Sequence, residues 1–258
     1  MQHTVFIAGA TGYMGVRLSA ALINKGDIVR ALTRPASAGR LPAGCRIVQG
    51  DALDSRSWAE MVRPADTFVH LVGTPHPAPW KGREFIAVDL ASLKESVAAA
   101  LDARVGHFIY VSVAHPAPVM KAYIGVRTEC ERIIRESGLR ATILRPWYVL
   151  GPGHWWPVAL KPCYWLAERM PASRESALRL GLVTREQMVN ALVEAVEQPP
   201  SGALRIVEAP EIRRATSSVA AETRGAVPGS VRDASAGPAT GRESAPREAA
   251  AQAGRRSA

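Results

Sequence analysis

Tyr123 and Arg127 stand four residues apart in the stretch Lys121-Ala122-Tyr123-Ile124-Gly125-Val126-Arg127. On a helix, residues at that spacing share a face. A phenol with an ordinary pKa near 10 is a weak acid–base group at neutral pH, and a neighbouring cation favours the phenolate. The spacing therefore predicts a proton-handling tyrosine with Arg127 as its electrostatic helper. The arginine itself stays charged and cannot shuttle a proton. The plain alternative is a helix start in which Tyr123 packs and Arg127 pairs with Glu131, again four residues on. Gly125 inside this helix costs up to about 1 kcal/mol relative to Ala. Close approach of a ligand and packing against a strand both explain it.

A second cluster opens the chain. "GATGYMG" puts Gly9, Gly12 and Gly15 directly after an apolar run, "TVFIAG", and at the entry to a helical pattern. Gly9 suits a tight turn, Gly12 lets backbone approach a pyrophosphate, and Gly15 lets the helix pack closely on the strand. The helix N-terminus adds free N–H groups and a positive dipole end. This context predicts a dinucleotide site; a methyltransferase with a similar loop is the weaker alternative. The second apolar run ends Ala31-Leu32-Thr33-Arg34, with no acidic residue to bind a ribose 2′-hydroxyl. Arg34 suits a 2′-phosphate, so NADP is expected in preference to NAD, with Arg40 able to substitute. Asp51 could accept from an adenine amino group, or serve as a helix cap or turn residue.

The elements that must position these groups alternate. "TVFIAG", "IVRALT", "RIVQG", "TFVHLVG", "HFIYVSV" and "ATILRP" read as strands. Helical patterns cover Gly12 to Asn24, Arg83 to Ala103 and Ala122 to Ser137. This rhythm implies an α/β fold, a Rossmann-type doubly wound parallel sheet buried on both faces. A small C-terminal substrate lobe begins at about residue 147. It contains a strand-like "ALRLGLV", a helix from Thr184 to Gln198 opened by a capping box, and a last strand in "ALRIVEA". The cofactor domain and lobe span 1–209. Residues 210–258 are poor in large apolar side chains and are expected to be a disordered tail.

Composition excludes several classes. The 258 residues are 47% hydrophobic and 21% charged, ordinary for a globular protein. The net charge of +9 is diffuse, with eight Arg against five acidic residues from Glu211 onward and no block of like charge. Nucleic-acid binding is not expected. Cys45, Cys130 and Cys163 show no paired spacing, which reads as reduced thiols in a cytoplasmic protein. No secretory signal or integral membrane segment is expected, and no metal, because the histidines lack ligand spacing. Trp147, Tyr148, Trp155, Trp156, Tyr164 and Trp165 cluster with His154. Three readings stay open for them: an apolar substrate pocket, the core of the lobe, or contact with a membrane surface.

"GATGYMG", "VQGDALD" (48–54), "FIYVSV" (108–113) and "LRPWYVLGPG" (144–153) resemble the atypical and extended short-chain dehydrogenase/reductases, the NmrA-like and epimerase/dehydratase-like NAD(P)H-binding proteins. The resemblance covers about residues 3–209. It implies that Gly9, Thr11, Gly12, Tyr13, Met14 and Gly15 line the pyrophosphate and that Arg34 selects the phosphate. It further places Asp51 and Ala52 beside adenine, and Gly73 and Thr74 near the nicotinamide ribose. Active members use Tyr-x-x-x-Lys with an upstream hydroxyl; here Tyr123 matches, Arg127 stands at the lysine, and Ser112 lies in the strand that carries the hydroxyl. The resemblance implies an oxidoreductase or epimerase-like enzyme on an apolar or sugar-linked carbonyl or alcohol. A non-catalytic NADP(H)-binding sensor or assembly subunit with a protein partner is the alternative.

Overall fold

The computed structural model describes residues 1–117, 119–151 and 179–215. Seven parallel strands form one sheet in the order β3-β2-β1-β4-β5-β6-β9. They are β1 (Thr4–Ala8), β2 (Ile28–Thr33), β3 (Arg46–Gln49), β4 (Thr67–His70), β5 (His107–Val111), β6 (Ala141–Arg145) and β9 (Leu204–Glu208). Strands β7 (Tyr148–Leu150) and β8 (Leu182–Thr184) form a separate parallel pair. The helices are α1 (Gly15–Asn24), α2 (Gly82–Glu84), α3 (Ala91–Ala103), α4 (Lys121–Glu136), α5 (Arg185–Glu197) and α6 (Ala209–Ile212). A π-helical turn, Phe85–Leu90, joins α2 to α3.

Strand alternation splits the core into two layers. Val5 and Ile7 face α1 and α5, with Leu18, Leu22, Met188 and Leu192. Phe6 and Ala8 face α3 and α4, with Leu93, Val97, Cys130 and Ile134. On this second face Phe6, Phe68 and Phe108 lie in register on β1, β4 and β5. Their ring centroids are 5.0 and 5.3 Å apart, and Trp58 stacks on Phe6 at 5.6 Å. Each such pair adds about 0.5–1.5 kcal/mol beyond burial. The central strands β4, β5 and β6 are buried at every position, as a sheet covered on both faces requires.

The differences from expectation lie at the ends of elements. Strand β4 stops at His70, so Leu71, Val72 and Gly73 leave the sheet as a loop. Of the described part of "ALRLGLV", residues 179–183, Leu182 and Val183 are strand, and they pair with β7, outside the main sheet. The capping box holds: Thr184 Oγ1 accepts from the Gln187 amide and Gln187 Oε1 from the Thr184 amide. The ordered chain passes residue 209, because α6 buries Ile212 and Gln187 Nε2 donates to the Arg213 carbonyl. Residues 216–258 of the expected tail lie outside the described residues. No helix among the described residues is long and apolar enough to cross a membrane.

Gly125 does not pack against a neighbouring strand. It lies exposed on α4, and a Cβ built there has nothing within 4 Å. The expected outcome of Gly125→Ala is a gain of about 0.5–1 kcal/mol in denaturant unfolding, with NADPH affinity unchanged.

Candidate functional site: a cleft at the strand ends

The chain leaves β1 toward β2 and β3, then crosses to β4 on the other side. Reversal of strand order opens a crevice beyond the carboxyl ends of the strands. A cleft of about 350 Å³ sits there, between the glycine-rich turn and the loop after β4. Gly9, Gly12, Tyr13, Met14 and Gly15 form one wall and residues 71–77 another; Val111, Val149, Tyr123 and Arg127 complete it.

The glycine turn is built for close approach. Gly9 has φ +85°, and a Cβ there would lie 2.8 Å from the Leu71 carbonyl carbon. A Cβ on Gly15 would lie 2.3 Å from the Gly9 oxygen, so the first turn of α1 packs directly on the loop. Gly12 instead is exposed, leaving backbone open to a ligand. This cradle fits a dinucleotide pyrophosphate at the α1 N-terminus. Thr11, Arg34, Asp51 and Ala52 do not line the cleft. Arg34 and Asp51 are exposed just beyond the ends of β2 and β3, on the outer half of the same sheet edge. Asp51 serves as a turn residue: Oδ1 accepts from the Leu53 amide at 3.0 Å, and its carbonyl accepts from Trp58 Nε1 at 2.7 Å. Ala52 packs against the second core layer.

Tyr123 and Arg127 do share a face, on the side of α4 that meets the cleft. The Arg127 guanidinium carbon is 5.0 Å from the Tyr123 ring centroid, and Phe85 packs on the other side at 5.0 Å. The expected pairing of Arg127 with Glu131 does not occur. Arg127 Nη2 donates to Asp89 Oδ1 at 2.5 Å, and Nη1 donates to the Tyr110 hydroxyl and the Val111 carbonyl, both at 3.0 Å. Asp89 Oδ2 accepts from the Thr74 amide at 2.9 Å and the Thr74 hydroxyl at 2.6 Å. Both partners of the ion pair are buried. Leaving either without the other costs about 3–5 kcal/mol. Gly73 lies against this pair, since a Cβ on it would come within 2.5 Å of Arg127 Nη2. Arg127 Nε is buried without a hydrogen-bond partner in a residue that lines the cleft, a donor left for a ligand.

Opposite charges act on Tyr123. Burial pushes the Tyr123 phenol above its ordinary value; Arg127 pulls it down and Asp89 pushes it up. Tyr123 is therefore a neutral O–H donor at neutral pH, and Arg127 does not hold it as a phenolate. His70, behind the cleft on β4, is pushed down to about 3 by burial and by Arg127. Its imidazole is neutral, with Nδ1 2.9 Å from Ser96 Oγ.

Ser112 is the misplaced expectation. It is buried, it does not line the cleft, and its hydroxyl donates to Glu131 Oε1 at 2.7 Å. Glu131 is a buried hub that also accepts from Arg145 Nε at 2.9 Å and Arg135 at 2.8 Å. These bonds bind α4 to β6 and engage the Ser112 hydroxyl. Gly73 and Thr74 do reach the cleft. Asp89 and Tyr110 were not anticipated, and Glu131 was expected only as a partner of Arg127. The only sequence signal for Asp89 is an acid set between Val88 and Leu90 within an apolar helical pattern. Of the aromatic cluster, Trp147 and Tyr148 are half-buried beside or in β7. His154, Trp155, Trp156, Tyr164 and Trp165 lie outside the described residues.

Comparison with known proteins agrees with this geometry. A family model described as NAD(P)H-binding matches residues 9–152. A ceramide reductase of Caulobacter vibrioides is 28% identical over 215 residues, 81% of this chain and 65% of that protein, so the chain spans just under two thirds of its length. A 3-diazoavenalumate denitrifying reductase of a Streptomyces species is 29% identical over 79% of this chain and 75% of that one. Among solved structures, the Bordetella bronchiseptica enzyme WbmH in complex with NAD+ superposes with a TM-score of 0.58 at 21% identity, covering 76% of this chain and 73% of that one. A UDP-N-acetylglucosamine 4-epimerase from Bacillus cereus gives 0.60 at 17% identity, covering 80% and 79%. These structures share the Rossmann-type fold with this chain. With the glycine cradle, the strand-order crevice and the match over residues 9–152, the chain belongs to the NAD(P)H-binding family.

Proposed function

We propose that the chain is an NADPH-dependent reductase of an apolar carbonyl compound. The observation that carries this reading is Tyr123, a protonated phenol beside Arg127 in the wall of the cofactor cleft. When bound, the dinucleotide supplies the hydride. Tyr123 donates its proton to the oxygen of the reacting carbonyl as negative charge develops there. Arg127 would orient the ribose end of the dinucleotide through Nε, which has no hydrogen-bond partner within the protein. Leu71, Val72, Pro75, Pro77 and Val149 give the cleft an apolar lining that excludes water. Three relatives carry reductase or ketoreductase names, which supports reduction over epimerisation. Arg34 selects NADPH through the 2′-phosphate, with Asp51 and Ala52 at the adenine end.

A second reading is favoured by one observation. Arg127 spends three donor contacts on Asp89, Tyr110 and Val111, and Ser112 is withdrawn, so the site could bind NADP(H) without turnover and signal to a protein partner. The two readings separate in one assay. Tyr123→Phe is expected to lower NADPH oxidation with apolar ketones and aldehydes at least about 100-fold, the ordinary weight of a positioned general acid. NADPH affinity by Trp fluorescence should stay within about twofold, a change of roughly 0.4 kcal/mol. Turnover equal to wild type would remove Tyr123 from the mechanism, and no turnover across the panel by wild type would favour the second reading.

Arg34 tests the cofactor preference separately. Its side chain makes no capping bond to the short helix that follows and is exposed, so its loss leaves the fold intact. Arg34→Ala is expected to weaken NADPH binding about tenfold or more, with NADH unchanged, because a charge-assisted phosphate bond contributes about 1.5–3 kcal/mol. Parallel titrations with the two cofactors check it.

A further inference from the structure

Asp89 is a buried carboxylate that the chemistry above does not use. The π-helical turn Phe85–Leu90 sets Phe85 and Asp89 on the buried side, the first against Tyr123 and the second against Arg127. Such turns re-aim side chains without ending the helix. Asp89 divides its two oxygens between separate segments. Oδ1 takes Arg127 of α4, and Oδ2 takes both the amide and the hydroxyl of Thr74 in the loop after β4. One acid thereby fixes two walls of the cleft and cancels the nearest cation to Tyr123.

Among the described residues, several further groups face Tyr123. Phe85 of the same turn is apolar. Tyr110 of β5 and Cys130 of α4 are buried and held neutral, both pushed above their ordinary values by burial. His76 and Thr74 line the cleft from the loop. Arg127 and Asp89 are the charges that act on the Tyr123 phenol.

We propose that Asp89 is a positioning residue: it holds Arg127 and Thr74 as one unit and makes Arg127 half of a neutral pair, so that the cleft presents Tyr123 as an O–H donor. The proposal rests on the reductase reading and gives it a direction. A neutral phenol can protonate a carbonyl oxygen being reduced, whereas a phenolate could only remove a proton. In this arrangement the arginine is tolerated beside the tyrosine because its charge is already answered.

The test needs no substrate. Phenolate absorbance is titrated in the full-length protein, with and without Asp89→Asn, each against the same protein carrying Tyr123→Phe. In the wild type Tyr123 is expected to contribute no phenolate signal up to its ordinary value of pH 10. In D89N the uncompensated arginine is expected to shift that signal to lower pH by about one unit. D89N/R127Q, with neither charge, should return to silence. A D89N protein that folds but leaves Tyr123 silent would overturn the proposal, because a merely structural Asp89 lowers thermal stability without moving the titration. If D89N does not fold, Thr74→Val decides. It removes one bond to Asp89 and is expected to weaken NADPH binding about tenfold; unchanged affinity would overturn the holding role. Failure here is distinct from failure of the reductase reading, which is judged by turnover of Tyr123→Phe.

Discussion

The buried pair of Asp89 and Arg127 is the contact on which the cleft depends. An arginine inside a protein must have its charge answered and its donors filled, or the desolvation cost is left standing. Here the answer comes from a single aspartate at 2.5 Å, with Tyr110 and Val111 taking the other amino group. The same aspartate secures the amide and hydroxyl of Thr74. Removing it would free the loop after β4, strand a cation and alter the ionisation of Tyr123 together. Gly73 belongs to this constraint, since any side chain there would occupy the place of the guanidinium.

A second buried acid does comparable work further along α4. Glu131 collects Ser112, Arg135 and Arg145, and Arg145 also reaches Glu208 on β9 at 3.0 Å. The helix is thus anchored by two carboxylate-centred networks, one facing the cleft and one facing the sheet edge. The division explains why Tyr123 and Arg127 reach the ligand space while Ser112 does not. Four residues, one helical turn, separate Arg127 from Glu131, and the two point into different environments.

Much of the fold was legible in the sequence. The runs at β1, β2, β4, β5 and β6 are mainly apolar, and several of their polar members are paired: Arg30 with the Met61 carbonyl, His70 with Ser96, His107 with Thr142 and Tyr110 with Arg127. The glycine spacing announced its turn because Gly9 and Gly15 answer steric demands that no other residue meets. The capping box at Thr184 was equally plain. What could not be read was the destination of the charges. Arg127 at four residues from both Tyr123 and Glu131 is compatible with either partner, and the true one, Asp89, is 38 residues away. The π-helical turn that aims Asp89 leaves no mark in a 3.6-residue pattern. Ser112 lies one residue past the end of β5, where successive side chains of extended backbone alternate faces, and its hydroxyl meets Glu131.

The family is NAD(P)H-binding, and on the proposed reading the cleft holds the dinucleotide with Tyr123 as proton donor beside an arginine whose charge Asp89 answers. The measurement that tests this most directly is an experimental structure of the complex with NADPH. The account predicts an intact Asp89–Arg127 contact, the pyrophosphate over the Gly12–Gly15 turn, and the nicotinamide ribose against the Nε edge of Arg127. An Arg127 that leaves Asp89 to reach the dinucleotide, or a dinucleotide bound away from the glycine turn, would contradict it.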